Sequence, residues 1–192
     1  MRDRLRGLLL AAGLILQIGA AATFLLRYRV YQVPTTSMSP AIESGDRIVV
    51  DTWSRTARRG DIVLVTGTGP SLVKRVAAVA GDTVTCCDAT GRPQVNGSAE
   101  VIPPSALSLR VPAGALFLLG DNLPTSVDSR ATGPAAASSV QGRVVALAYP
   151  AHLFPDRAAA TLCLVFLVGL LGLAFVLLAG LLSVTVRHDR DA

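Results

Sequence analysis

Hydrophobic and polar positions divide this chain into three parts. Residues 7–26 carry no charge and a single amide, Gln17. Residues 158–186 form a second uncharged run, 29 residues long. About twenty apolar residues suffice for a helix to cross the hydrocarbon core of a bilayer. The longer run can span with tilt or with interfacial ends. A soluble amphipathic helix would show a polar face, and neither run has one. Ala20-Ala21-Ala22 supplies small residues of the kind found where signal peptides are cut. However, the apolar run continues through Phe24-Leu25-Leu26 and outlasts a signal h-region, so it reads as an uncleaved anchor.

Between the runs the period changes. Arg47-Ile48-Val49-Val50, Ile62-Val63-Leu64-Val65, residues 72–79, Thr83-Val84-Thr85, Leu116-Phe117-Leu118-Leu119 and Val144-Val145-Ala146-Leu147 are short apolar or alternating stretches punctuated by Gly and Pro. That pattern predicts strands. Val95-Asn96-Gly97-Ser98 predicts a hairpin, because Asn-Gly suits a type I′ turn. Ala135-Ala136-Ala137-Ser138-Ser139 reads as a surface loop or a short helical turn. The expected layout is a mainly β domain at 27–157 flanked by one N-terminal and one C-terminal transmembrane helix, 7–26 and 158–186. A basic head, 1–6, and a tail, 187–192, complete it.

Composition sharpens this picture. In 192 residues the hydrophobic share is 51% and the aromatic share 5%, an apolar excess that the two spans account for. Residues 27–157 hold 13 basic and 10 acidic side chains, a net charge of +3. They are long enough to bury one core. The arginines are scattered and no aromatic platform accompanies them, so nucleic acid is not the indicated partner. The lipid bilayer is. Arg2, Arg4, Arg6, Arg187 and Arg190 flank the spans on one side, and Arg27, Arg29 and Arg157 on the other. The positive-inside bias then puts both termini in the cytoplasm and the β domain on the extracytoplasmic face of the cell membrane. The overall charge of +5 suits retention at a membrane and anionic lipid.

The candidate chemistry begins at Val33-Pro34-Thr35-Thr36-Ser37-Met38-Ser39-Pro40. The two prolines fix their own φ and bias Val33 and Ser39 towards extended backbone. A stiff turn rich in hydroxyls can serve as a linker or can hold a reactive serine. Of 18 basic side chains, 17 are arginine and Lys74 stands alone. Arginine stays protonated in proteins, whereas a desolvated lysine can lose its proton. His152 and His188 lie beside or beyond the second apolar run, so an activating base for a serine would be Lys74. On a strand, Leu72, Lys74 and Val76 share one face and Val73, Arg75 and Ala77 the other. Apolar neighbours lower the pKa of the amine.

These stretches together resemble a known family. Pro34 to Pro40, Gly60-Asp61-Ile62-Val63, Lys74-Arg75 with Gly81-Asp82, and Gly120-Asp121-Asn122 with Ser126, Asp128, Ser129 and Arg130 are similar, in order, to the sequence boxes of bacterial type I signal peptidase. The resemblance covers residues 33–145. It implies a signal-peptidase-like β domain and a serine endopeptidase with a Ser37–Lys74 dyad that works through an acyl-enzyme. It implies removal of signal peptides from exported pre-proteins after an A-x-A site, without metal or cofactor. Spacing alone leaves Thr36 and Ser39 as rival nucleophiles, and the motif alignment selects Ser37. By the same resemblance Thr35 and the Ser37 N–H form the oxyanion hole. Ser126 hydrogen-bonds and orients the lysine amine. Asp121 pairs with Arg75, and Asp128 and Arg130 brace their loop. The box departs from the family pattern at Leu123-Pro124-Thr125, where charged and amide residues are commoner.

Ser37 lies eleven positions after Leu26, at most roughly 40 Å of extended chain. A site on so short a tether suits a membrane-anchored substrate. An extended peptide could add to a strand edge, with alternate side chains entering two shallow pockets. Met38 and Ile42 are candidates for lining them, and core packing would explain both equally. A specialised peptidase for a few pre-proteins, and an inactive β-rich interaction module, are the alternative readings. Cys86 and Cys87 are adjacent, show no metal-ligand spacing, and read as structural.

Overall fold

The computed structural model describes residues 2–66, 71–88, 92–97, 107–149, 151–153 and 157–188. It falls into two compact units, residues 1–28 with 156–192, and residues 29–155. The first unit is a pair of long helices, α1 (Arg2–Arg27) and α3 (Arg157–His188). Both are long and apolar enough to cross a membrane, with mean hydropathies of 2.1 and 3.0 over their apolar windows. The helices extend past the uncharged runs into Arg4-Leu5-Arg6 and Arg187-His188. Arg and Leu are good helix formers, so loss of hydropathy does not end a helix. The two pack through glycines. A Cβ on Gly13 would lie 2.7 Å from the Gly172 carbonyl, and one on Gly172 would lie 2.8 Å from the Gly13 carbonyl. Small residues let backbones approach this closely where no hydrophobic effect drives helices together. Phe24 stacks at a tilt on Phe166, with ring centroids 5.9 Å apart.

The second unit is mainly β. Among the described residues its larger sheet has eight strands: β1 (Tyr28–Gln32), β2 (Arg47–Asp51), β3 (Ile62–Val65), β4 (Leu72–Val79), β8 (Ala115–Leu119), β9 (Ala135–Ala136), β10 (Val140–Tyr149) and β11 (Ala151–Leu153). The strand order is β1-β2-β10-β3-β4-β8-β9, with β11 beside β10. A smaller sheet orders β6 (Gln94–Val95), β5 (Thr83–Cys86) and β7 (Leu107–Arg110) with β5 in the middle. β-branched residues dominate the central strands, as a pleated and buried surface favours. Ala78, Val84, Val111 and Phe117 cluster and fasten the small sheet to the large one. A helical turn, α2 (Ser129–Thr132), and a 3-10 turn (Ala137–Ser139) lie between β8 and β10. The alanine-rich stretch thus begins as a short strand, Ala135–Ala136, and then turns.

The Asn-Gly expectation fails. Asn96 has φ +54°, but Gly97 is not in the left-handed region. A type I′ turn needs both. β6 instead pairs with the strand before it, and Asn96 closes that pairing: its Oδ1 accepts from the Thr83 N–H at 2.8 Å, and its amide donates to Asp82 at 2.7 Å. Ser98 lies outside the described residues. Cys86 and Cys87 are joined to each other at the end of β5.

β10 is the long spine, pairing with β3 through its first half and β2 through its second. The change of partner occurs around Gly142, where a Cβ would meet the Asp51 carbonyl oxygen at 2.5 Å and Val50 Cγ1 at 2.8 Å. Gly142→Ala should therefore cost about 1–3 kcal/mol of stability, the usual range for forcing atoms into filled space. Gly19→Ala, where nothing lies within 4 Å, should not. Denaturation midpoints of the detergent-solubilised variants check the contrast.

Candidate active site

The loop from Val33 to Asp46 carries Ser37 and is closed at its neck. The Val33 N–H donates to Asp46 O at 2.9 Å and the Gly45 N–H to Val33 O at 2.7 Å. Gly45 reaches φ +98°, a conformation available to glycine without a Cβ clash. Val33, Met38 and Ile42 drive into a core cluster with Ile48, Val50, Ile62, Leu64, Val144 and Leu147. Ser37, between two of these anchors, is 8% exposed, while Thr35 and Thr36 face solvent.

Lys74 comes from the other side, on β4 opposite Val63 of β3. It is 4% exposed, and Val76, two residues on, is buried with Val63, Val65, Leu116, Leu118 and Val140. Its Nζ donates to Ser37 Oγ at 2.8 Å. Burial lowers the pKa of the amine from its ordinary value, and the nearby Asp128 charge opposes the shift only in part. Once the amine is neutral, the same contact can reverse, with the Ser37 O–H donating to Nζ. Of the three candidate nucleophiles in the turn, Ser37 is the one that meets Lys74. Ser39 Oγ donates to Glu43 at 2.5 Å, and Thr36 is exposed.

The alternation expected of β4 holds for Lys74, Val76 and Ala78, which are buried, but Leu72 is exposed. β8 pairs with β4 only from Arg75 onward, with Leu119 opposite Arg75. Residues 72–74 pair with β3 on one side and leave the other edge open among the described strands. Thr35 Oγ1 lies 3.3 Å from Ser37 Oγ. The Ser37 N–H donates to no acceptor among the described residues.

The segment after β8 braces both residues. Arg75 donates to Asp121 through Nε at 2.7 Å and through a terminal nitrogen at 2.6 Å, and to Gly60 O at 2.9 Å. Asp128, at the N-terminus of α2, has a fully buried side chain. It accepts from the Gly120 N–H at 3.1 Å and from Arg130 Nε at 2.8 Å. Burial works against its ionisation, but the Arg130 and Gly120 hydrogen bonds prevail and hold the carboxyl below the ordinary aspartate range. Arg130 also donates to Leu123 O at 2.6 Å, which ties down the divergent Leu123-Pro124-Thr125 stretch.

Two expected roles do not appear. Ser126 is not hydrogen-bonded to Lys74. Its hydroxyl is close enough to Asp128 to favour the carboxylate, yet it is buried without a partner in hydrogen-bonding geometry among the described residues. A Cβ on Gly120 would collide with both Ser126 Oγ and the Ser37 carbonyl, so Ser126 packs against the backbone that supports the turn carrying Ser37. Met38 and Ile42 are 0% exposed and line no open surface. They are core residues here because the loop needs apolar anchors. Asn122 is a residue that sequence reading passed over: its N–H donates to Ser37 O at 3.1 Å and its amide to Thr36 O at 3.2 Å. The only sequence signal was its place in Gly120-Asp121-Asn122. Among the described residues no three of His, Cys, Asp or Glu converge to hold a metal ion.

Comparison with known proteins places this chain in a family. A probable thylakoidal processing peptidase of Arabidopsis thaliana is 31% identical over 144 residues, 65% of this chain and 39% of that protein. A probable signal peptidase I of Synechocystis is 30% identical over 159 residues, 71% of this chain and 81% of that one. A crystal structure of a signal peptidase I from Enterococcus faecalis aligns with a TM-score of 0.39 at 27% identity, covering 47% of this chain and 97% of that one. The family described as "Signal peptidase, peptidase S26" matches residues 4–100 and 88–149, a span that takes in the serine turn, the lysine strand and the bracing segment alike, and the chain belongs to that family.

Proposed function

We propose that the chain is a membrane-anchored serine endopeptidase that removes N-terminal signal peptides from exported pre-proteins after an A-x-A-type site. The observation that carries this reading is the 2.8 Å contact between a buried primary amine, Lys74 Nζ, and the Ser37 hydroxyl. Ser37 Oγ attacks the carbonyl carbon before the scissile bond, and its proton passes to neutral Lys74. The oxyanion accepts hydrogen bonds from the Ser37 N–H and the Thr35 hydroxyl. The C–N bond then breaks, and Lys74 returns its proton to the leaving amine. The acyl-enzyme ester remains. Water, deprotonated by Lys74, attacks it, and the same proton restores the Ser37 hydroxyl as the signal peptide departs.

The open edge of β4 at residues 72–74 supports substrate pairing by strand addition. The residues before the cleaved bond lie along it, with the bond at the Lys74 end. Ser126 supports the dyad by packing rather than by a hydrogen bond to the amine. The two apolar helices serve as anchors, with both termini in the cytoplasm and the β unit outside, a direction drawn from the arginine bias at their flanks.

Three outcomes are expected with purified protein in detergent and a pre-protein bearing an A-x-A site. Ser37→Ala and Lys74→Arg should each lower kcat by at least ~10³-fold, since the members of such a unit fail together. Equal cleavage by the wild type and both variants would overturn the proposal. Thr35→Val should lower kcat ~10²–10³-fold with KM nearly unchanged, as for loss of one oxyanion donor. Lys74 must be neutral to act, and burial brings its pKa down. kcat/KM should therefore climb as pH rises through that lowered pKa and level off above it, which a pH–rate profile reads directly.

A further inference from the structure

A trough of about 510 Å³ opens beside Gly120, lined among others by Pro40, Ala41, Arg75, Arg92 and Leu119. A recess of about 450 Å³ shares Pro40, Arg92, Asp121 and Leu123 with it and reaches Ser39 and Asn122. Its near wall is thus the turn that carries Ser37, held there by the two Asn122 hydrogen bonds to Ser37 O and Thr36 O. Among the described residues three charged side chains line it. Arg75 and Asp121 neutralise each other through paired hydrogen bonds. Arg92 is exposed. Its backbone N–H donates to Asp88, but its guanidinium enters no hydrogen bond or ion pair among the described residues. The trough therefore presents one uncompensated positive charge over a partly apolar lining.

Granted the peptidase reading, we infer that this trough holds the segment of substrate that follows the cleaved bond, and that Arg92 selects there for a carboxylate side chain within the first few mature residues. Direction comes from the strands. The amine that must sit at the cleaved bond is at the Lys74 end of the open edge, and the residues recognised before the bond run back towards Leu72. From Arg75 onward β8 occupies the adjacent lane. The substrate must leave the edge at Gly120, where the trough begins. Apolar side chains there receive an extended peptide without specifying it, and Arg92 offers a forked donor to a carboxylate.

The test uses full-length protein in detergent and peptides that share one A-x-A site but carry Asp, Asn or Lys at the second to fourth positions after it. The wild type should rank them Asp, Asn, Lys in kcat/KM, with steps of about two- to fivefold, the scale of an exposed ion pair, carried mainly by KM. Arg92→Glu should reverse the order. The guanidinium has no partner to lose among the described residues, so the fold should tolerate the change. In a Ser37→Ala background the uncleaved peptides, labelled and read by fluorescence anisotropy, should bind in the same order and reverse with Arg92→Glu. Charge-ranked binding without cleavage in the wild type would sustain the trough and sink the peptidase reading. The same ranking of the peptides before and after the Arg92→Glu substitution, in binding and in cleavage, would overturn the inference.

Discussion

A buried primary amine is an unfavourable group to place in a protein, and the rest of the β unit is arranged around the one at Lys74. An ammonium taken out of water without a counter-ion sheds its proton more readily than it stays charged. Three carboxylates of the β unit are each held by a guanidinium. Asp121 is engaged by Arg75, Asp128 by Arg130 and the Gly120 N–H, and Asp61 by Arg143. Each guanidinium remains charged whatever happens to it, so it can hold a carboxylate without competing for the lysine proton. Of these acids, Asp128 still raises the pKa of the amine, and burial outweighs it.

The serine reaches that amine because its loop is a rigid arch and not a tether. Val33, Met38 and Ile42 nail the arch to the core, the Val33–Asp46 and Gly45–Val33 bonds close it, and Asn122 holds its crest. Polar residues between apolar anchors are thereby turned outward or along the edge of β4. The missing side chains at Gly120 and Gly142 serve the same end at different places. At Gly120 the bracing segment touches the Ser37 carbonyl, and at Gly142 the spine of the sheet passes against Asp51. Close backbone approach is what lets a side chain as short as serine meet the lysine amine at hydrogen-bonding distance.

Much of this was open to reading before any coordinates. Six predicted strand segments fall within β2, β3, β4, β5, β8 and β10, because period-two alternation and β-branched runs are local signals. The apolar helices were evident from length alone. Lys74 stood out because a single lysine among arginines is a chemical distinction and needs no structure to be noticed. β1, β7, β9, β11 and α2 were missed. β1 and β7 are short and exposed or flanked by polar residues, and α2 is a single turn capped by Asp128. The Asn96-Gly97 hairpin was wrong because the side chain of Asn96 found a better use tying β6 to β5.

What the chain's order of residues determined by itself was the inventory: two apolar runs long enough to cross a membrane, a strand-rich middle, a single lysine among arginines, and a hydroxyl turn clamped by prolines. Which hydroxyl faces the base, that Met38 and Ile42 are anchors, that Ser126 has no hydrogen bond to the amine, and that Asn122 supports the turn were decided only by tertiary structure. The reason is physical. Apolar periodicity and side-chain chemistry are written locally, but a 2.8 Å contact between residues 37 apart in sequence depends on loop closure and sheet register that no local stretch encodes.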